Sequence, residues 1–117
     1  MKENVLKEKS FKFAVRVVKL CKYLRVKKDE YVLAKQVLRS GTSVGAMIRE
    51  AEYSESKVDF VHKLGIARKE LNETIYWLEL LEATEYITSK DFKGINADAI
   101  EILKMLTSSI KTVKNNH

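Results

Sequence analysis

The sequence predicts an all-α fold, an antiparallel up-down-up-down four-helix bundle, from three observations. There is no proline and there are only four glycines in 117 residues, none in an Asn-Gly or Asp-Gly pair, so hairpin signals are missing. Apolar residues recur at three-and-four spacing over long stretches, as on one face of a 3.6-residue helix. Three short polar patches, VKKDE, YSES and TSKDFKGIN, divide those stretches, and short connections make neighbouring helices antiparallel.

The first helix is expected over about 8–25, where apolar and basic residues share the surface. The second, about 30–53, lines up Ala34, Val37, Leu38, Gly41, Val44, Gly45, Ile48 and Ala51. The third, about 56–87, begins at Ser56 with Asp59 three residues on, a helix-start pattern, and aligns Phe60, Leu64, Ala67, Leu71, Thr74, Leu78 and Leu81. The fourth, about 96–114, takes Asn96 as a cap and aligns Ala99, Ile102, Leu103, Leu106, Ile110 and Val113. Residues 115–117 read as a tail. The whole chain, 1–117, is expected to form one domain.

At 45% hydrophobic and 32% charged residues the composition suits a folded chain and not a disordered one. No apolar run approaches the ~20 residues of a bilayer span, and the N-terminal MKENVLKEKS lacks the apolar core of a signal peptide. A cytoplasmic protein with no membrane partner is expected. The single cysteine, Cys21, has no partner for an intramolecular disulfide and sits among apolar residues as small core filler.

The net charge of +6 is unevenly distributed. Residues 1–28 hold ten basic and two acidic side chains, a net of +8, while the other 89 residues hold twelve basic and fourteen acidic ones, a net of −2. At ~100° per residue, Lys9, Lys12, Arg16, Lys19 and Lys27 fall within an arc of roughly 80° with Tyr23 in its middle. A stripe of one sign is the footprint of a polyanion-binding surface, where each neutralised phosphate releases counterions, and an aromatic inside it is a platform for stacking a base. The competing reading is a solvated face, or one neutralised by a neighbouring acidic helix such as the third with Glu70, Glu73, Glu79, Glu82 and Glu85.

The same helix is apolar over roughly 220°, through Phe11, Phe13, Ala14, Val15, Val17, Val18, Leu20, Cys21 and Leu24, twice what a bundle core requires. A second copy of the chain is the simplest cover for the surplus. Phe11, Phe13, Val17 and Leu20 are the expected interface residues, and a homo-oligomer is expected.

The stretch RSGTSVGA, residues 39–46, invites a phosphate-loop reading and fails it. GTSVG has three residues between its glycines where the phosphate loop has four, and Ala46 follows where Lys-Ser/Thr is needed. A di-iron site needs two Glu-x-x-His pairs, and the fold offers only His62 with Asp59. One cysteine and two histidines cannot assemble a zinc site, and no Gly-x-Ser-x-Gly elbow surrounds Ser40 or Ser43. No enzyme, metal or cofactor is therefore expected. A remote catalytic reading is kept for a pocket that would gather Arg39, Glu50 and His62. Gly41 and Gly45, each ~1 kcal/mol worse than alanine in a helix, read instead as sites where another helix comes very near.

RSGTSVGAMIREAEYSESKVDFVHKLGIARKELNETIYWLELLE, residues 39–82, resembles the signature of the bacterial four-helix bundle family called 23S rRNA-intervening-sequence proteins. In that family an RSGTSIGANIxEA helix precedes a DFxxKxxIAxKExxETxYWLxLL helix. Arg39, Ser40, Gly41, Thr42, Ser43, Gly45, Glu50, Ala51, Phe60, Lys63, Ala67, Glu70, Glu73, Tyr76 and Trp77 agree with it; Met47 stands where asparagine is usual. The resemblance implies a left-handed bundle assembled into a ring, commonly a homopentamer. It also implies a related branch, the accessory proteins of diversity-generating retroelements, whose basic barrel binds nucleic acid and a reverse transcriptase. Arg39, Glu50, Lys63 and Glu70 are then candidates for inter-helix or inter-subunit pairs, and Trp77 for a subunit boundary.

Two functions are carried forward. One is a homo-oligomeric bundle that binds RNA or DNA, with little sequence preference, through Lys9, Lys12, Arg16, Lys19, Tyr23 and Lys27. The other is an oligomeric adaptor that docks a protein partner such as a nucleic-acid enzyme.

Overall fold

Residues 2–116 are described by a computed structural model. They form four helices, α1 (Lys2–Lys28), α2 (Val32–Glu52), α3 (Lys57–Ala83) and α4 (Ser89–Asn115), in a rod 49 × 21 × 19 Å. Each helix packs on its neighbours in sequence, α4 closes the ring on α1, and the diagonal pairs do not meet. Pairing shows the directions. Lys7 bonds Glu52 and Cys21 bonds Ala34 across α1/α2; Lys63 bonds Glu50 and Thr74 bonds Ser40 across α2/α3; Lys9 and Arg16 reach Glu101 and Asp98 across α1/α4. Residue numbers fall on one helix as they rise on the other, so adjacent helices are antiparallel and the expected bundle is present.

The core is a file of aliphatic side chains with Phe13 of α1 the largest member, joined by Val37 and Val44, Leu64, Leu71 and Leu78, and Ile102 and Leu106. Buried polar residues are few; Ser54 Oγ and Asn96 Oδ1 are enclosed without a hydrogen-bond partner, whereas the Ser40–Thr74 pair is fully engaged. Ser40 and Thr74 hydroxyls lie 2.8 Å apart across the α2/α3 seam, each also within 3.0 Å of a carbonyl one turn back, at Gln36 and Glu70. Cys21 donates its thiol to the Ala34 carbonyl at 3.3 Å, and burial pushes the thiol up to about 11. It is core filler, as its setting in the sequence suggested.

The helix ends explain where sequence boundaries slipped. Ser56 accepts the Asp59 N–H at 3.0 Å and caps α3 as expected. α2 is capped from outside by the buried Glu30, whose carboxylate accepts the N–H groups of Val32, Leu33 and Ala34; that bonding offsets the cost of burying a charge. α3 stops at Ala83, four residues before the expected end, because Glu85 turns to φ 66° and the Tyr86 N–H returns to the Leu81 carbonyl at 2.9 Å. Glycine ordinarily occupies that left-handed position, and a glutamate there gives no signal in the sequence.

The α4 start is a correction. Its cap is Thr88, which accepts the Asp91 N–H at 3.1 Å, and not Asn96, which lies inside the helix. The patch TSKDFKGIN opens α4, with Ile95 buried one turn before Ala99. Gly94 lowered the helical signal there, yet it sits under the Arg16 guanidinium, the nearest group to its missing β-carbon. Helix α1 outruns its expected 8–25 at both ends, and α4 runs on to Asn115, so the expected tail begins no earlier than Asn116; His117 lies outside the described residues.

The two glycines of RSGTSVGA are not equivalent. A β-carbon at Gly41 would lie 2.8 Å from Val17 Cγ1, whereas one at Gly45 would make ordinary contact with the Ser10 backbone at 3.4 Å. The approach of α1 is thus close at Gly41 and slight at Gly45. At Gly65 a β-carbon would meet nothing within 4 Å. Gly41→Ala is therefore expected to lower the urea midpoint, since overpacking costs about 1–3 kcal/mol and outweighs the helix gain. Gly65→Ala should raise it, adding up to about 1 kcal/mol of stability, and Gly45→Ala should fall between.

Candidate nucleic-acid interface

Helix α1 carries three faces. Leu6, Ser10, Phe13, Val17, Cys21 and Leu24 are buried, within about 100° of arc, and face α2 and α4. This corrects two expected interface positions. Phe13 and Val17 are 1% and 0% exposed inside the chain's own core, because they share the angular sector of Cys21 and Leu24. Leu20 is half-buried against the same core. The surplus beyond that sector is outside: Phe11 is 58% exposed, and Val15 and Val18 are each 40% exposed. Phe11 and Ala14 flank a groove of about 450 Å³ against Thr42, Ala46 and Arg49 of α2.

The third face is the basic stripe, and the structure divides it. Toward the N-terminus, Lys9 pairs with Glu101 at 2.9 Å, Arg16 with Asp98 at 2.8 Å and Lys12 with Glu8 at 3.1 Å. The Glu101 hydrogen bond and charge raise Lys9 above an ordinary lysine. Neutralisation comes from α4 for Lys9 and Arg16 and from α1 itself for Lys12, and not from α3, whose Glu70 and Glu73 are taken by Arg39 of α2. Toward the C-terminus, Lys19, Lys22, Arg25, Lys27 and Lys28 are exposed, and none pairs with a carboxylate among the described residues. Tyr23, 42% exposed, stands among them. Lys22, Arg25 and Lys28 lie off the stripe, and in the sequence they entered only as part of the charge total.

Trp77 is half-buried in the α2/α3 seam. Its indole N–H donates to Glu73 at 2.9 Å, and its ring lies 5.1 Å from Tyr76, edge to face. Arg39 donates to both Glu70 oxygens at 3.2 Å and to Glu73, and Lys63 to Glu50 at 3.0 Å. The motif charges therefore pair between helices of one chain. The Trp77 N–H, then Arg39, hold the Glu73 carboxyl below the usual carboxylate range.

The residues that a catalytic reading would need are engaged elsewhere or apart. Ser40 is fully enclosed, Arg39 and Glu50 are held by their ion partners, and His62 stands exposed on α3. Among the described residues no three histidine, cysteine or acidic side chains converge as metal ligands, and no helix is long and apolar enough to cross a membrane.

Comparison with known proteins agrees with this geometry. The family model for the 23S rRNA-intervening sequence protein matches residues 2–108. A crystal structure of a protein with unknown function from the S23 ribosomal protein family of Bacteroides thetaiotaomicron VPI-5482 superposes with a TM-score of 0.94. It is 58% identical, over 95% of this chain and 99% of that one. Among curated proteins there is no match.

Trp77 is the sole tryptophan, so its bond to Glu73 is open to fluorescence. A carboxyl depressed in the folded state adds stability above its unfolded pKa and loses it as pH falls through the folded value. Acid titration of the emission should therefore show a midpoint below pH 4.5, the ordinary glutamate value, and Glu73→Gln should abolish that step.

Proposed function

This chain belongs to the 23S rRNA-intervening sequence protein family, and on that premise we propose a homo-oligomeric helical bundle that binds RNA or DNA through the C-terminal half of α1. The observation that carries this reading is the division of the α1 cations, on and beside the stripe, into paired and unpaired halves. Three cations are discharged by local carboxylates, whereas five at positions 19, 22, 25, 27 and 28 keep their charge facing solvent within two and a half turns. Unpaired lysines near a phosphate backbone release counterions on contact, and that release supplies affinity without sequence information. Tyr23 adds a surface on which a base can stack. Lys9, Lys12 and Arg16 play a lesser part, because binding phosphate there means breaking an existing ion pair.

Self-assembly rests on Phe11, Val15 and Val18, whose exposure on one side of α1 supports a contact with a second copy. Such a contact leaves Lys19, Tyr23 and Lys27, on another side of the helix, open and repeats them around the assembly, which multiplies the affinity of a weak single site. A setting in the cytoplasm, where Cys21 stays reduced, fits the same reading.

Two measurements test it. Filter binding of structured RNA at two salt concentrations should give a steep salt dependence, which Lys19→Glu/Lys22→Glu/Lys27→Glu removes and Lys9→Glu/Lys12→Glu/Arg16→Glu weakens far less. Equal loss in both triple variants, or no binding at low salt, would overturn the assignment. Light scattering should report an oligomer that Phe11→Glu/Val18→Glu converts to a smaller species.

A further inference from the structure

The end of the bundle that bears the unpaired cations also contains a cavity of about 320 Å³. It lies between the last turns of α1 and the α3–α4 connection, and its walls include Tyr23, Tyr86 and Ile87, with Glu82, Glu85 and Lys28 around them. That volume is at the low end for small-molecule sites, suited to one planar group and not to a helix or a peptide. Ile87 is buried and closes it with an apolar surface. Tyr23 and Tyr86 border the same space without ring contact, the single ring pair among the described residues being Tyr76 with Trp77.

The charges sort what enters. Neither Glu82 nor Glu85 pairs with a cation among the described residues; two carboxylates against the one lysine of the lining, Lys28, leave the cavity net negative, and a phosphate is drawn instead to the other cations of α1 outside it. A carboxylate accepts hydrogen bonds and offers none, as the cytosine amine requires. A uracil carbonyl in the same place would face an oxygen. Glu85 is also held at φ 66° by the Tyr86 N–H bond to Leu81, an arrangement that a non-glycine residue keeps only where its surroundings impose it.

We propose that this end cavity receives one unstacked base of a single-stranded nucleic acid and prefers a base bearing an exocyclic amine over one bearing a carbonyl. The proposal rests on the nucleic-acid reading above and deepens it: the lysines hold the backbone, Tyr23 and Tyr86 hold the base plane, and Glu82 and Glu85 read its edge. Single strands are the substrate class, because only there can a base turn out of its stack at small cost and present its pairing edge.

Fluorescence anisotropy with labelled oligo(C) and oligo(U) ribonucleotides of equal length tests this, since the two bases differ chiefly at the amine. At low salt oligo(C) should bind about tenfold more tightly than oligo(U). Glu82→Ala/Glu85→Gly should tighten oligo(U) binding by removing repulsion and bring the two affinities together; glycine suits the left-handed backbone, so the fold is kept. Tyr23→Ala should weaken both. Equal, salt-dependent affinities for the two oligonucleotides in the unaltered protein would overturn the base pocket and leave the nucleic-acid reading standing. An oligo(C) preference that survives Glu82→Ala/Glu85→Gly would also overturn it, and no binding to either at low salt would overturn both.

Discussion

Val17 of α1 rests against Gly41 of α2 where a β-carbon at position 41 would come within 2.8 Å, and the rest of the molecule is set by that seat. The contact fixes how far α1 slides and turns on α2. Leu24, Cys21 and Phe13 then point inward, and Arg16 and Lys9 come level with Asp98 and Glu101 of α4. Had α1 been displaced by a turn, different cations would have met those carboxylates. The positions that remain charged are thus a consequence of packing some distance away from them.

This coupling gives the bundle two dissimilar ends. At one, Lys7 near the start of α1 pairs with Glu52 at the end of α2 at 3.0 Å, and a cavity of about 620 Å³ opens among Leu6, Ile48, Phe60 and Leu64. At the other, five basic residues stand unpaired beside Tyr23, next to a small cavity with carboxylates of its own. Both chain reversals at that end pass through a left-handed acidic residue, Asp29 after α1 and Glu85 after α3. The polarity of the rod is therefore chemical as well as geometric, and the proposed binding end is also the end whose turns use left-handed non-glycine residues.

Family membership and a 58% identical structural relative establish the fold, and the functional reading rests on this chain's own charges. The motif that identifies the family is mostly architectural. Ser40 bonds Thr74, Arg39 bonds Glu70, Lys63 bonds Glu50 and Trp77 bonds Glu73, all along the α2/α3 seam. The run of five unpaired cations that carries the functional reading lies outside it, on α1.

Apolar periodicity together with short connections determined that the chain is four antiparallel helices, because a helix that buries one face must repeat its apolar residues every three or four positions and a short link returns the next helix alongside it. Counting charges along the chain located the positive excess on α1, and the glycine spacing pointed to the close approach at Gly41. Three things were decided only by the tertiary structure. Phe13 and Val17 belong to the core and Phe11 to the surface, a distinction hidden in a helix apolar over most of its circumference. α4 begins at Thr88, because its first turn is polar where it faces solvent and a cap is defined by a backbone bond. Lys9, Lys12 and Arg16 are neutralised while Lys19 and its neighbours are not. A sequence counts charges, but whether a charge is available depends on what lies 3 Å away from it across a helix interface.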